Sequence, residues 1–253
     1  MKQEVFSFLL LSAIAAPNLS YAAPEEIQVY LDDMSAPGKF GVDVHNNYVI
    51  SGDANPAYPG GSAPLHEYRL TPEFYYGLTD DLELGLYFLT AHDNNGETHF
   101  EGEKVRIKYI APHDATSGAF WGANLEIGRT DLYAAPQPWN AELKGIWGYR
   151  QGAWLFAVNP NLDWTLSSGG TPATLDIDGK IAYSVTEQTQ LGVEIYNELG
   201  PVRSLQALNQ NSKTLYLALD HDFGGYDLNA GIGRGLTGDA DKWVLKFIIG
   251  THF

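Results

Sequence analysis

The chain contains no cysteine. That absence removes disulfides, thiolate metal centres and thiol nucleophiles together, and it suits an exported protein that avoids oxidative mispairing. Beyond the N-terminus there is also no run of roughly twenty apolar residues, which a membrane-crossing helix needs. A mature chain lodged in a membrane would therefore cross it as a closed β-barrel, the other architecture that satisfies every backbone hydrogen bond in lipid. Cations are scarce as well: 15 Lys and Arg against 31 Asp and Glu leave a formal net charge of -16. Phosphate binding needs a basic patch, so this balance argues against nucleic acid as a partner. The surplus acid either keeps exposed loops solvated, the plainer reading, or binds divalent cations beside anionic lipopolysaccharide.

Several features are abundant. Aromatics make up 13% of the chain and glycines number 27, while charged residues reach only 18%. Those values suit many strands that expose aromatic and aliphatic side chains between Gly, Asn, Asp and Pro turns. At the N-terminus, Lys2 precedes an apolar run from Val5 to Ala16, a Pro17 break and the small residues Ser20 and Ala22. We read residues 1–22 as a cleaved secretory signal peptide, because the run is too short for a helix across a bilayer of about 30 Å. Residues 23–37 are acidic and loosely patterned and are expected to form an N-terminal periplasmic arm. The remainder, residues 38–253, carries the strand signals.

The final stretch is the clearest of them. Taken as a strand, Trp243, Leu245, Phe247, Ile249 and Phe253 fall on one face, with Val244, Lys246, Ile248, Gly250 and His252 on the other. A soluble sandwich strand can look similar, but this chain stops on Phe253 with no polar tail. An amphipathic last strand ending in Phe resembles the signal that bacterial outer-membrane barrels present to the barrel assembly machinery. The resemblance implies export to the cell outer membrane, with lipid and lipopolysaccharide around the protein.

The same alternation recurs throughout. Leu82, Leu84, Leu86 and Phe88 oppose Glu83, Gly85 and Tyr87, and Val105, Ile107 and Tyr109 oppose Lys104, Arg106 and Lys108. Between Trp154 and Leu166 the apolar face has aromatic residues at both ends, as interfacial girdles require. Tight turns such as Leu78 to Asp81 alternate with longer Gly- and Pro-rich loops such as Gly52 to Pro64. The pattern predicts an all-β fold: a transmembrane, antiparallel, up-and-down barrel of about twelve strands, with short turns on the periplasmic side.

With apolar faces turned to lipid, the expected lumen-lining set is Asp43, His45, Glu67, Arg69, Glu73, Arg106, Lys108, Glu142, Lys144, Arg150, Asp163, Asp176, Asp178, Lys180, Glu194 and Lys246. Both signs are present, so the lumen holds either a narrow polar passage or a salt-bridged plug. Phrases such as Thr71-Pro72-Glu73-Phe74-Tyr75-Tyr76-Gly77-Leu78-Thr79-Asp80 and Gly192-Val193-Glu194-Ile195-Tyr196 resemble a broad group of outer-membrane proteins similar to the transporters encoded with meta-pathway phenol degradation. That resemblance implies passive uptake of small solutes, aromatic or hydrophobic compounds among them, and supplies no catalytic motif.

Two alternatives stay open: a non-transporting structural or interaction barrel, and a rim hydrolase. Adjacent His-Asp pairs at His92, His113 and His221 invite the second, but neighbours in a strand point to opposite faces and such pairs are common in turns. No enzymatic activity, cofactor or metal is expected.

Overall fold

The computed structural model describes residues 26–170, 172–207, 211–238 and 240–253. The leader expected over residues 1–22 lies outside them. Twelve strands follow one another: β1 Phe40–Ser51, β2 Tyr68–Gly77, β3 Leu82–His92, β4 Thr98–Ile110, β5 Gly118–Thr130, β6 Trp139–Gln151, β7 Trp154–Thr165, β8 Thr174–Ser184, β9 Thr189–Pro201, β10 Ser212–Asp222, β11 Asp227–Gly235 and β12 Trp243–His252. Each pairs antiparallel with its chain neighbours and β1 closes on β12, giving the closed twelve-stranded barrel that the alternation predicts. Gly41 faces His252 across the seam, and Phe253 N donates to Phe40 O at 2.8 Å. Closure leaves no open strand edge, the condition for a sheet in lipid.

The period of two decides what each face meets. Outward side chains stay exposed although they are apolar: Leu217 at 64%, Trp121 at 58% and Val105 at 56%. A continuous apolar surface of this kind is an aggregation hazard in water and a solvation match in hydrocarbon. Trp121, Tyr149, Trp154 and Tyr183 ring its short-turn end, while Tyr48, Phe100, Trp139 and Trp243 ring the other.

Register shifts fall at Val49/Ser51, Leu89/Thr90 and Leu175/Asp176, and the second of them changes what faces the lumen. The stretch His92 to Glu101 is expected as a loop, yet β4 already begins at Thr98. A bulge makes the difference: Leu89 pairs with Gly102 while Thr90 pairs with Phe100. The extra residue lets Glu101 and Gly102 both turn inward and sends Phe100 out to the lipid side. Gly102 has φ 141, and a Cβ there would meet Arg129 O at 2.1 Å, so only glycine fits.

The N-terminal arm also differs from expectation. Instead of hanging beneath the barrel, residues 26–37 enter it at the short-turn end, where Pro37 bridges Gly77, and run into its interior. The reason is apolar. Inward positions near that end carry Ile110, Phe120, Ile146, Leu155 and Ala182, which would face water in an empty lumen; Tyr30, Leu31 and Met34 pack against them. Burying each large side chain contributes about 1.5–3 kcal/mol.

Candidate functional site

The inner face brings charges together in networks that span distant strands. On β1 to β4, Glu73 receives the Arg106 Nε, Arg106 Nη2 reaches Glu83 Oε1 at 2.8 Å, and His45 Nε2 lies 3.3 Å from Glu73 Oε2. Glu83 Oε2 then accepts the Ser35 N–H at 2.7 Å, tying the arm to the wall. At the long-loop end Arg69 joins Glu67 at 2.9 Å and Glu101, delivered by the bulge, at 3.1 Å. On β8 to β12, Lys246 meets Glu194, which also receives Lys180 at 3.1 Å, and Lys180 continues to Asp220 at 2.8 Å. Apart from the partly exposed Asp220 these groups are buried, so their charges persist because each finds a partner of opposite sign.

The arm is held from three sides. Its foot is Asp32, which accepts both guanidinium ends of Arg150 at 2.5 and 2.6 Å and lies 2.7 Å from His113 Nε2. Burial opposes ionisation of Asp32, but Arg150 and His113 outweigh it and hold its carboxyl below the ordinary range. Burial likewise disfavours the His113 imidazolium, yet the Ala111 carbonyl and Asp32 raise it above the ordinary imidazole value. Further in, the Asp33 carbonyl accepts Lys108 Nζ at 2.6 Å and the Ile27 carbonyl accepts Lys246 Nζ at 3.0 Å.

Tyr30 locks the middle. Its N–H donates to Asn159 Oδ1 at 2.6 Å, its carbonyl accepts Asn159 Nδ2 at 3.1 Å, and its hydroxyl lies 2.7 Å from that of Tyr87. Lys144 Nζ sits 4.3 Å from its ring centroid, a cation–π contact.

Above the arm, toward the long loops, lies a cavity of about 600 Å³ that ends on Glu26 and Ile27. Its lining includes the carboxylates of Glu26, Asp53, Glu67, Glu126, Glu142, Asp163, Glu198 and Asp241 against the cations Arg69, Lys104 and Lys242. The interior is therefore a vestibule with a net acidic lining above an arm-filled half.

Of the expected set, all but Asp43, Glu142, Arg150 and Asp163 are buried, and these four are partly exposed, with Arg150 at the short-turn mouth and Glu67 just ahead of β2. The structure joins Glu73 to Arg106 and His45, and Glu194 to Lys180 and Lys246, while Asp163, Asp176 and Asp178 meet no cation at ion-pair distance among the described residues. Sequence reasoning passed over Glu83, Lys104 and Glu126, although each alternates with outward apolar residues on its strand. It also missed Tyr30 and Asn159, whose pairing across 129 residues leaves no local signal.

Among the described residues, two groups gather metal-ligating atoms within 4.8 Å: Asp43, His45 and Glu73 in the lumen, and Asp93, Glu97 and His99 on the β3–β4 hairpin. In the first, Arg106 already occupies Glu73 and the Tyr75 hydroxyl donates to Asp43 at 3.1 Å, which disfavours a further cation.

No family model matches the chain, and no curated protein matches it in sequence. Solved structures do resemble it. The COG4313 outer membrane channel from Pseudomonas putida F1 aligns over 87% of this chain and 97% of its own with a TM-score of 0.59 at 14% identity. The NanC porin aligns over 84% and 98% with a TM-score of 0.54 at 12% identity, and the KdgM porin over 84% and 98% with 0.52 at 11%. At such identities the likeness is one of fold: this chain is a twelve-stranded barrel of the architecture that these channels share.

Proposed function

We propose that the protein is an outer-membrane channel for the passive passage of small solutes, held in a low-conductance state by its N-terminal arm. The observation that carries this reading is the interior itself: a charged wall around a cavity of about 600 Å³ that stops on the arm's own Glu26 and Ile27. A barrel serving only as a scaffold would gain by packing apolar side chains there, since buried ion pairs seldom stabilise more than hydrophobic neighbours of equal volume. The apolar outer belt with its aromatic girdles supports a bilayer setting, and Phe253 with the outward face of β12 supports recognition by the assembly machinery.

The vestibule bears on the solute. The KdgM porin has been solved in complex with oligogalacturonate, a polyanion, whereas the vestibule here carries mostly carboxylates. Its charged groups repel such a ligand, while Tyr58, Trp164, Tyr196 and Tyr216 in the same lining leave room for the aromatic compounds considered above. Small neutral or cationic solutes fit it better.

Refolded protein in planar bilayers tests the reading. The intact chain is expected to give small conductance steps, selective for K⁺ over Cl⁻ in a salt gradient. A protein that stays silent both intact and with residues 26–35 deleted is no channel.

A further inference from the structure

The long-loop half of the wall formed by β6 to β9 lacks the charge balance found elsewhere in the lumen. Glu142 and Asp163 stand directly opposite in register, and so do Asp176 and Glu198. Like charges in that position oppose pairing. Lys144 reaches Glu142 at 3.2 Å, but among the described residues no cation lies at ion-pair distance from Asp163, Asp176 or Asp178.

Asn161 supplies an independent sign. It is 4% exposed, donates Nδ2 to Asp178 Oδ2 at 2.6 Å, and leaves its amide Oδ1 buried without a donor. Its register partner across β8 is Asp176, 6% exposed, whose Oδ1 also lacks a donor. Asp163 Oδ2, at the cavity, is in the same condition. Of these three accepting oxygens only that of Asp163 lines the cavity; those of Asn161 and Asp176 stand one inward position deeper, beside the lining pair Asp163 and Thr174, so N–H or O–H groups must reach in from the cavity to meet them. Water can donate to them but brings no charge, so uncompensated carboxylates favour a cation.

We propose that this wall binds an organic cation bearing ammonium or guanidinium groups, drawn from the vestibule. The inference deepens the channel reading and rests on it for how the solute arrives. The donor set is all oxygen, which excludes soft metals. It is also more spread than the two groups whose ligand atoms gather within 4.8 Å, so a bare ion would touch too few carboxylates at once. An N–H-bearing cation spans such a set, since each N–H finds a separate acceptor. Lys144 beside Glu142 already demonstrates an ammonium on this wall. Tyr196, opposite Asp178 in register and lining the cavity, offers an aromatic ring to the alkyl stem.

Calorimetric titration of the refolded full-length barrel with putrescine, in detergent at low salt, tests the proposal. Saturable binding is expected, weakened at least about tenfold by the double change D163N/D176N. Asn161→Leu, which alters no charge, is expected to weaken it about threefold. Because D163N/D176N removes like-charge repulsion, this variant is expected to melt no lower than the parent, and N161L provides a second reading should it fail to fold. Unchanged affinity in a folded variant overturns the proposal, as does calcium binding that putrescine cannot displace. No binding at all also overturns it, the carboxyls then sharing protons among themselves. Binding in detergent needs no transport: conductance without putrescine binding refutes this site alone, and binding without conductance refutes the channel alone.

Discussion

The two long walls of the lumen treat buried charge in opposite ways. Across β8 to β12, Glu194 sits between Lys180 and Lys246, Lys180 reaches Asp220, and the Tyr196 hydroxyl donates to Glu194 at 2.8 Å. Nearly every donor there has an acceptor. Across the long-loop half of β6 to β9, no lysine lies at ion-pair distance from Asp163 or Asp176 among the described residues, and Lys104 and Lys144 act on Asp163 only from further off. The first wall pairs its charges within the chain and acts as structure, although the Asn229 amide oxygen is left without a donor. The second is left for something from outside, which is why the same residue type carries different consequences on the two sides.

The sharpest way to break that comparison is one chemical change made on both walls. Glu194→Gln leaves Lys246 with no carboxylate and is expected to destabilise the barrel by about 3–5 kcal/mol, the range for removing one partner of a buried pair. Asp176→Asn removes a charge that has no cationic partner and is expected to leave stability unchanged or raise it. Urea unfolding of the refolded proteins in lipid vesicles reads both. Equal losses in the two variants would mean that the walls do not differ in charge balance.

The next effect in size concerns the arm. Tyr30→Ala removes the ring under Lys144, the Tyr87 contact and much of the apolar packing at Phe120 and Ile146. Truncating a large buried aromatic costs about 3–5 kcal/mol, and here that cost falls on the docked arm rather than on the strand ladder. Single-channel conductance is expected to rise severalfold while the barrel's unfolding midpoint changes little. A variant that unfolds earlier without conducting more would make the arm a structural plug.

The barrel was legible because its physics is local. A period of two, turn residues at regular spacing and aromatic ends on outward faces fixed most strands within a residue or two, as at Leu82–His92 and Trp154–Thr165, but β2 begins at Tyr68 rather than Leu65 and β4 at Thr98 rather than Glu103. The departures have named causes. The β4 bulge shifts parity over a few residues, which alternation counted from Lys104 cannot see. The arm's position depends on inward Ile110, Phe120, Ile146 and Leu155, which look like ordinary strand hydrophobes until their outward neighbours are counted separately. Which charges pair was invisible for another reason: Glu194 and Lys246 are 52 residues apart, and barrel closure brings them together.

The smallest effect is the most diagnostic for the arm's foot. His113 titrates above its ordinary value of 6.5 because the Ala111 carbonyl and Asp32 outweigh burial, so its share of arm docking is full below that ordinary value and is lost as pH rises through the raised one. Asp32 titrates below 3.8, so its share is present above that value and is lost as pH falls through the depressed one. Docking is therefore tightest between the two. Conductance is expected to increase on the alkaline side, by less than in the Tyr30 variant because the Arg150–Asp32 pair survives there, and to increase again in strong acid as Asp32 protonates. His113→Gln should abolish the alkaline step and keep the acid one, while Asp32→Asn should remove both and conduct more at neutral pH. An alkaline step that persists in His113→Gln would move the sensor away from the arm's foot, and with it the distinction between a charge-clamped arm and an open acidic wall.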